Sequence, residues 1–212
     1  MQHKFLITEI SSILILLIFL NCTNGTENKS SAAITQVKSQ ELLPSCEWCG
    51  AMDAPEELSW STNIANENEP GERLVLNGKV FNQDGTPAAG VLIYAYHTNL
   101  QGIYEKKGDE TGNGKRHGHL RGWIKTDAQG RYQFNTIKPA AYPSRSEPAH
   151  VHFTLSSENM PEYWIESTLF YDDPLISPKM RANDDKGRFA HIIMLTKKDG
   201  VWVGERDIKL KK

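Results

Sequence analysis

Residues 148 to 153 read PAHVHF, which places His150 and His152 one residue apart inside an apolar run. In an extended strand alternate side chains share a face, so both imidazoles point one way while Val151 and Phe153 point the other. Two imidazoles on one face can ligate a single metal ion. Such a pair is equally an ordinary way to finish a half-buried strand, and the chain has 7 histidines, including a second pair at His117 and His119. A metal site therefore requires further ligands from other parts of the chain. Two tyrosines are placed to supply them. Tyr142 stands in the stretch IKPAAYPSRSEPAHVHF among Pro139, Pro143 and Pro148, whose fixed φ stiffens the connection into the histidine strand. Tyr104 stands in TNLQGIYEKKGD beside Gly102, which permits close backbone approach. Taken singly, either tyrosine reads as well as a packing residue with a hydrogen-bonded hydroxyl.

The elements that must position these groups are strands. LVLNGKVF (74 to 81) leads into the turn QDGTPAAG and then VLIYAY (91 to 96); WIKTDAQGRYQFNTI (123 to 137) forms two strands about a turn with Asp127 and Gly130, placing Tyr132 and Phe134 on one face. HVHFTL (150 to 155), STLFY (167 to 171), AHIIML (190 to 195) and VWVGERDIKL (201 to 210) complete the set, the last two joined by a hairpin turn at Lys198, Asp199 and Gly200. Helical periodicity of any length is missing. Short strands at this spacing predict an all-β fold, an antiparallel β-sandwich, with long end loops at 97 to 122, 138 to 149 and 172 to 189 carrying the metal site.

Taken together, GKVFNQDGTPAAGVLIYAYHTNLQGIY, RGWIKTDAQGRYQFNTIKPAAYP and PAHVHF make the sequence resemble the intradiol ring-cleavage dioxygenases, the family of protocatechuate 3,4-dioxygenase and catechol 1,2-dioxygenase. The resemblance covers about Leu76 to Phe153 and continues weakly through STLFYDDP. It implies a sandwich holding one non-haem Fe(III) by two tyrosinates and two histidines, with Tyr104 and His150 matching the equatorial ligands and Tyr142 and His152 the axial ones. Those residue types suit the ion, because phenolate is a hard anionic donor that favours ferric over ferrous iron, and its binding and deprotonation are one event. The implied reaction takes a catechol as a chelating dianion that displaces Tyr142, adds O2, and opens the ring between the hydroxylated carbons to a muconate-type diacid. Tyr142, as the displaced ligand, can accept a substrate proton.

The match departs in two places. Where dioxygenases of the protocatechuate type carry an arginine before the histidine pair, this chain has Glu147, and a glutamine on the later strand aligns with Thr168. A glutamate reverses the local charge and opposes a catecholate. Arg121 and Arg145 are the candidates for a replacement catalytic cation. The loop GNGKRHGHLRGW (112 to 123) is dense in glycine, histidine and basic groups, and one expectation is that Arg116, His117, His119 and Arg121 line the mouth of the site; simple exposure at the surface is the competing one. A second class of function also fits a D-G-x-P-x-x-G turn before a hydrophobic strand: a non-catalytic module resembling transthyretin-like or carboxypeptidase-regulatory-like domains, with a relic iron site.

With 212 residues, 39% apolar and 24% charged, and a formal net charge of -2, the chain fits one globular domain with appended tails and offers no basic surface for nucleic acid. Residues 1 to 22 have the layout of an export signal, and Cys22 resembles the lipid-acceptor cysteine of a bacterial lipoprotein, which predicts a periplasmic or outer-surface protein, lipid-anchored or freely secreted. Residues 23 to 45 read as a disordered linker. Residues 46 to 73 form an N-terminal extension with Cys46 and Cys49 in a Cys-x-x-Cys spacing, open to a disulfide, a redox pair or half a zinc site; the lack of a second cysteine pair and of a βαβ pattern favours the disulfide. Residues 74 to 212 form the dioxygenase-like domain.

Overall fold

The computed structural model describes residues 46–184 and 187–211. The predicted export signal, Cys22 and the linker lie outside the described residues.

Alternating burial builds two facing sheets. One has strands β1 (Ser61–Asn63), β2 (Arg73–Phe81), β5 (Arg131–Ile137), β9 (Leu195–Lys198) and β10 (Val201–Glu205), in the order β1-β5-β2-β10-β9, with β11 (Ile208–Lys209) also paired to β2. The other runs β4-β3-β6-β7-β8, from β3 (Leu92–His97), β4 (Arg121–Lys125), β6 (His150–Ser157), β7 (Met160–Phe170) and β8 (Ile192–Ile193). Leu74, Leu76, Tyr132 and Phe134 of the first sheet meet Ile93, Ala95, Ile124, Val151, Phe153 and Leu155 of the second, all buried. Phe153 reaches across to Phe134 and Tyr132 at ring separations of 5.6 and 5.9 Å. Each such buried aromatic stabilises the sandwich by roughly 2–3 kcal/mol.

The antiparallel pairs are β2–β5, β9–β10, β3–β4, β3–β6 and β6–β7, while β1–β5, β2–β10, β2–β11 and β7–β8 run parallel. The predicted hairpin turn is present: Asp199 and Gly200 both have positive φ, 49° and 83°, which matches the right-handed twist of β9 and β10. β7 extends well before the expected run at 167. Pro161 and a half-exposed Trp164 hide that portion from pattern reading, because the outer half of the strand has no buried alternation. The C-terminal run splits at Arg206 and Asp207, where the Asp207 carboxylate accepts from the Lys79 amide at 2.8 Å and the Arg206 side chain turns inward. Two short helices, α1 (Gly114–His117) and α2 (Pro178–Asn183), lie in the predicted loops.

Residues 46 to 73 are laced into the sandwich. β1 pairs with β5, the Lys125 amide donates to Ser59 O and the Gln133 amide to Trp60 O. Upstream, the backbone passes so close to the Tyr94 ring that a Cβ on Gly50 would lie 2.2 Å from it. Only glycine permits that approach.

Candidate metal centre

β6 divides its residues between two faces. Val151, Phe153 and Leu155 enter the core, and His150, His152 and Thr154 stand on the outer face of the second sheet, on the same side as Tyr94 and Tyr96 of β3. The start of β6 is fixed by Asp173, whose carboxylate accepts from the Ala149 amide at 2.9 Å.

Two loops then cover the histidines. Asn99 organises the first: its side-chain oxygen accepts from the amides of Gln101 and Ile103 at 2.9 and 3.1 Å, and its amide group donates to Glu105 at 2.9 Å. Gly102, at φ 75°, lets this loop press against the second, since a Cβ there would stand 2.0 Å from Ala141 O. Thr98 Oγ donates to Ala140 O at 2.7 Å and ties the two loops together. The result brings Tyr104 and Tyr142 to the same point.

Four donor atoms close a ring. Tyr104 Oη lies 2.8 Å from Tyr142 Oη, Tyr142 Oη 3.2 Å from His150 Nε2, His150 Nε2 2.9 Å from His152 Nε2, and His152 Nε2 2.9 Å from Tyr104 Oη. His150 Nδ1–H donates to Pro148 O at 2.7 Å, and because a carbonyl only accepts, the lone pair of Nε2 is left facing the ring's centre. Ser167 Oγ, 3.0 Å from His152 Nδ1, accepts its N–H in the tautomer that frees Nε2 of that residue. Burial, reinforced by His150, holds His152 down at about 3, so it is neutral near pH 7. Burial also pushes both phenols above their ordinary range, with the hydrogen bond to Tyr142 adding to the rise at Tyr104 and lowering Tyr142. Two phenols and two imidazoles around one point suit a hard cation of high charge, which lowers phenol pKa on binding.

The outer face behind this ring is aromatic. His152 stacks on Tyr96 at 4.6 Å, Tyr96 on His117 at 3.8 Å and on Tyr94 at 5.4 Å, and Tyr94 on Trp123 at 5.2 Å. His117 is buried, lowered to about 4 by that burial, accepts from Tyr94 Oη at 2.8 Å and donates through Nε2 to Glu47 O at 2.9 Å. Ser167 and Tyr96 carry no motif of their own and are invisible to sequence reading. The signal for Ser167 is the register shift between Val151 and Phe153 opposite β7, which sequence patterning does not reveal.

The remaining expected residues disperse. Arg121 donates to Gly118 O at 2.6 Å and lines a separate cavity of about 540 Å³ with Lys107 and His119, so it corrects the expectation of a catalytic cation over the ring. Arg145 is exposed in a left-handed turn at φ 54° with its amide bonded to Tyr142 O. Arg116 pairs with Glu47 at 2.9 Å on the surface. His119 bonds Glu69 at 3.0 Å and, with Glu105, forms a second group whose donor atoms lie within 4.8 Å of one another, but Lys107 and Asn99 already serve those carboxylates. Of the loop 112 to 123, His117 alone reaches the ring, and it does so from behind through Tyr96. Thr168 shares the inward face with Val151 and accepts from the buried Arg206 at 2.6 Å, so it does not stand beside the donors; Ser167 does. Cys46 and Cys49 form a disulfide, as expected.

The "Dioxygenase" family model matches residues 51–197. The chain is 34% identical over 136 residues to the protocatechuate 3,4-dioxygenase beta chain of Burkholderia cepacia, covering 60% of this chain and 58% of that protein. It is 34% identical over 127 residues to catechol 1,2-dioxygenase 1 of Acinetobacter lwoffii, covering 52% of this chain and 40% of that one, so it spans only about half the length of these curated relatives. The dioxygenase domain of a dioxygenase and carbohydrate-binding protein fusion from Streptomyces sp. SirexAA-E shares the fold, with a TM-score of 0.55 at 21% identity over 74% of this chain and 91% of that one. With a match that takes in both loops, both histidines and most of the sandwich, the chain belongs to the intradiol ring-cleavage dioxygenase family.

Proposed function

We propose that the chain is an exported, non-haem Fe(III) intradiol dioxygenase that takes a catechol and O2 to a muconate-type diacid. The observation that carries this reading is the closed ring of donors, Tyr104 Oη, Tyr142 Oη, His150 Nε2 and His152 Nε2. The family match favours it over a non-catalytic binding module. Tyr104, Tyr142, His150 and His152 would hold the iron, which when bound supplies a Lewis-acid centre that orients a chelating catecholate toward O2.

The chain's own groups divide the remaining work. Tyr142 is the proposed proton acceptor: its phenol oxygen stands in the donor ring, 2.8 Å from Tyr104 Oη and 3.2 Å from His150 Nε2, and as the phenolate that leaves the ion it would take a substrate proton. Tyr104, held by the loop that Asn99 organises, stays in place. His150 and His152 would present Nε2 to the ion, because Pro148 O and Ser167 Oγ take their Nδ1 protons. Tyr96, stacked on His152, excludes water from its ring face. The bond between the hydroxylated carbons breaks, and both oxygen atoms of O2 end in the two new carboxyl groups.

The Cys46–Cys49 disulfide supports an exported setting, since such bonds persist in oxidising compartments, and Cys22 is the proposed lipid acceptor. The test is a panel of catechols in an oxygen electrode with product masses, on protein loaded with ferric iron. A reddish protein that consumes O2 and yields a diacid heavier by both oxygen atoms supports the reading; colour without uptake on any catechol defeats it.

A further inference from the structure

The loop that carries Tyr104 is gripped from behind by a histidine outside the donor ring. His119 closes twice on one carbonyl: its backbone amide donates to Glu105 O at 2.8 Å, and its Nδ1–H donates to the same oxygen at 2.9 Å. A carbonyl only accepts, so Nδ1 carries the proton in that bond. One residue earlier, Gly118, at φ 72°, lies flat against the Tyr104–Glu105 peptide; a Cβ there would stand 2.5 Å from Glu105 O and 2.8 Å from the Tyr104 carbonyl carbon. Arg121 ties the turn that holds this pair, donating through Nη1 to Gly118 O at 2.6 Å and through its amide to His119 O at 2.8 Å.

The imidazole is itself held. Its Nε2 lies 3.0 Å from Glu69 Oε2, with only 9% and 7% of the two side chains exposed. The Glu69 main chain is fixed in turn: its amide donates to Asn66 O at 3.1 Å and its carbonyl accepts from the Arg73 guanidinium. Lys107, three residues after Tyr104, brings its ammonium to 3.6 Å from the same Glu69 oxygen. Burying a carboxyl without partners is costly, so Glu69 favours the arrangement in which the Tyr104 loop is drawn onto it. Glu69 stands between β1 and β2, far in sequence from every member of the donor ring.

We infer that His119, backed by Glu69, is a positioning residue for the proposed reaction: it fixes the Tyr104–Glu105 peptide and so sets where Tyr104 Oη stands in the donor ring. This rests on the dioxygenase reading above. Tyr104 Oη has two neighbours in that ring, Tyr142 Oη at 2.8 Å and His152 Nε2 at 2.9 Å. Asn99 shapes the Tyr104 loop from its start, and His119 holds its far side through the Glu105 carbonyl. Without that grip the phenol is free to shift, and a misplacement on the order of 1 Å costs up to about 100-fold in rate.

The test uses the full chain loaded with ferric iron and reads iron content, the tyrosinate-to-iron absorption band, and kcat and KM with catechol as probe. His119→Ala keeps its iron, shifts and weakens the band, and lowers kcat about tenfold with KM little changed. His119→Asn places an amide where Nδ1 stands and restores most of the band and the rate. His119→Gln directs its amide toward Glu69 instead and behaves like His119→Ala, while Glu69→Gln shows the same loss in smaller measure. A wild-type band and kcat in His119→Ala would overturn the inference, as would Asn and Gln variants that lose equally. The Asn and Gln pair decides the matter even where the alanine variant fails to fold. The dioxygenase reading fails separately: a wild type that shows the band without oxygen uptake on any catechol removes that reading, and the band still tests the grip on Tyr104.

Discussion

The Nε2 atoms of His150 and His152 stand 2.9 Å apart, with the opposite ring nitrogen of each engaged by Pro148 O and Ser167 Oγ. Two lone pairs brought this close repel unless a proton or a cation lies between them. Replacing either residue by alanine is expected to abolish iron retention, read as metal content after dialysis, while the sandwich still folds.

Ser167→Ala removes the acceptor for the His152 Nδ1 proton and leaves every proposed ligand in place. The expected cost is about 10- to 100-fold in iron affinity or turnover, the usual effect of losing a group that orients a ligating histidine. A variant with wild-type affinity and rate would show that Ser167 does not orient the ring.

Gly102→Ala forces a side chain into a positive φ and against Ala141 O. The left-handed conformation alone costs about 1–2 kcal/mol, which lowers Tm by about 2–8 °C in a chain of this size. Because Gly102 sets the approach of the Tyr104 loop to the Tyr142 loop, tyrosinate-to-iron absorption should weaken as well. Loss of stability with an intact absorption band would separate the two effects.

Burial holds His97 at about 4, below its ordinary 6.5, with Nδ1–H donated to Thr98 O and Nε2 accepting from Thr136. Between those values the unfolded chain binds a proton that the folded chain refuses. Stability is therefore full above about pH 6.5 and declines as pH falls toward 4, by up to about 1.4 kcal/mol per pH unit from this group. His117 shifts in the same direction, also to about 4. Denaturant midpoints at pH 7 and pH 5 measure the slope, and His97→Gln should flatten part of it.

Beyond burial, the charge of Glu147 adds to the rise of both Tyr104 and Tyr142. Glu147→Arg is expected to ease formation of the tyrosinates and to improve binding of carboxylated catechols more than that of catechol itself. A panel of dissociation constants for the two classes checks this, and equal changes in both would argue that the residue acts only on the tyrosines.

The sequence carried the site better than it carried the site's support. Period-2 alternation sets His150 and His152 on one face, whereas Tyr104 and Tyr142, which read singly as packing residues, are legible only through the resemblance to the intradiol dioxygenases. The hairpin at Asp199 and Gly200 is legible from its own turn residues. Arg121 misleads because its guanidinium follows the curvature of the loop 112 to 123, which packs it over Gly114 and into another cavity, and no pattern encodes that path. Thr168 misleads because a register shift of one strand against its neighbour exchanges inward for outward, and the shift arises from the bulge opposite β6. β7 before Ser167 and the role of His117 were hidden because both depend on packing between distant segments.

The partition of β6 has a consequence for how such a protein can change over time. Val151, Phe153 and Leu155 serve cohesion, while His150 and His152 on the other register face the donor ring. Novel selectivity can therefore be acquired by remodelling the loops laid over that strand, without renegotiating the interior that keeps the protein folded.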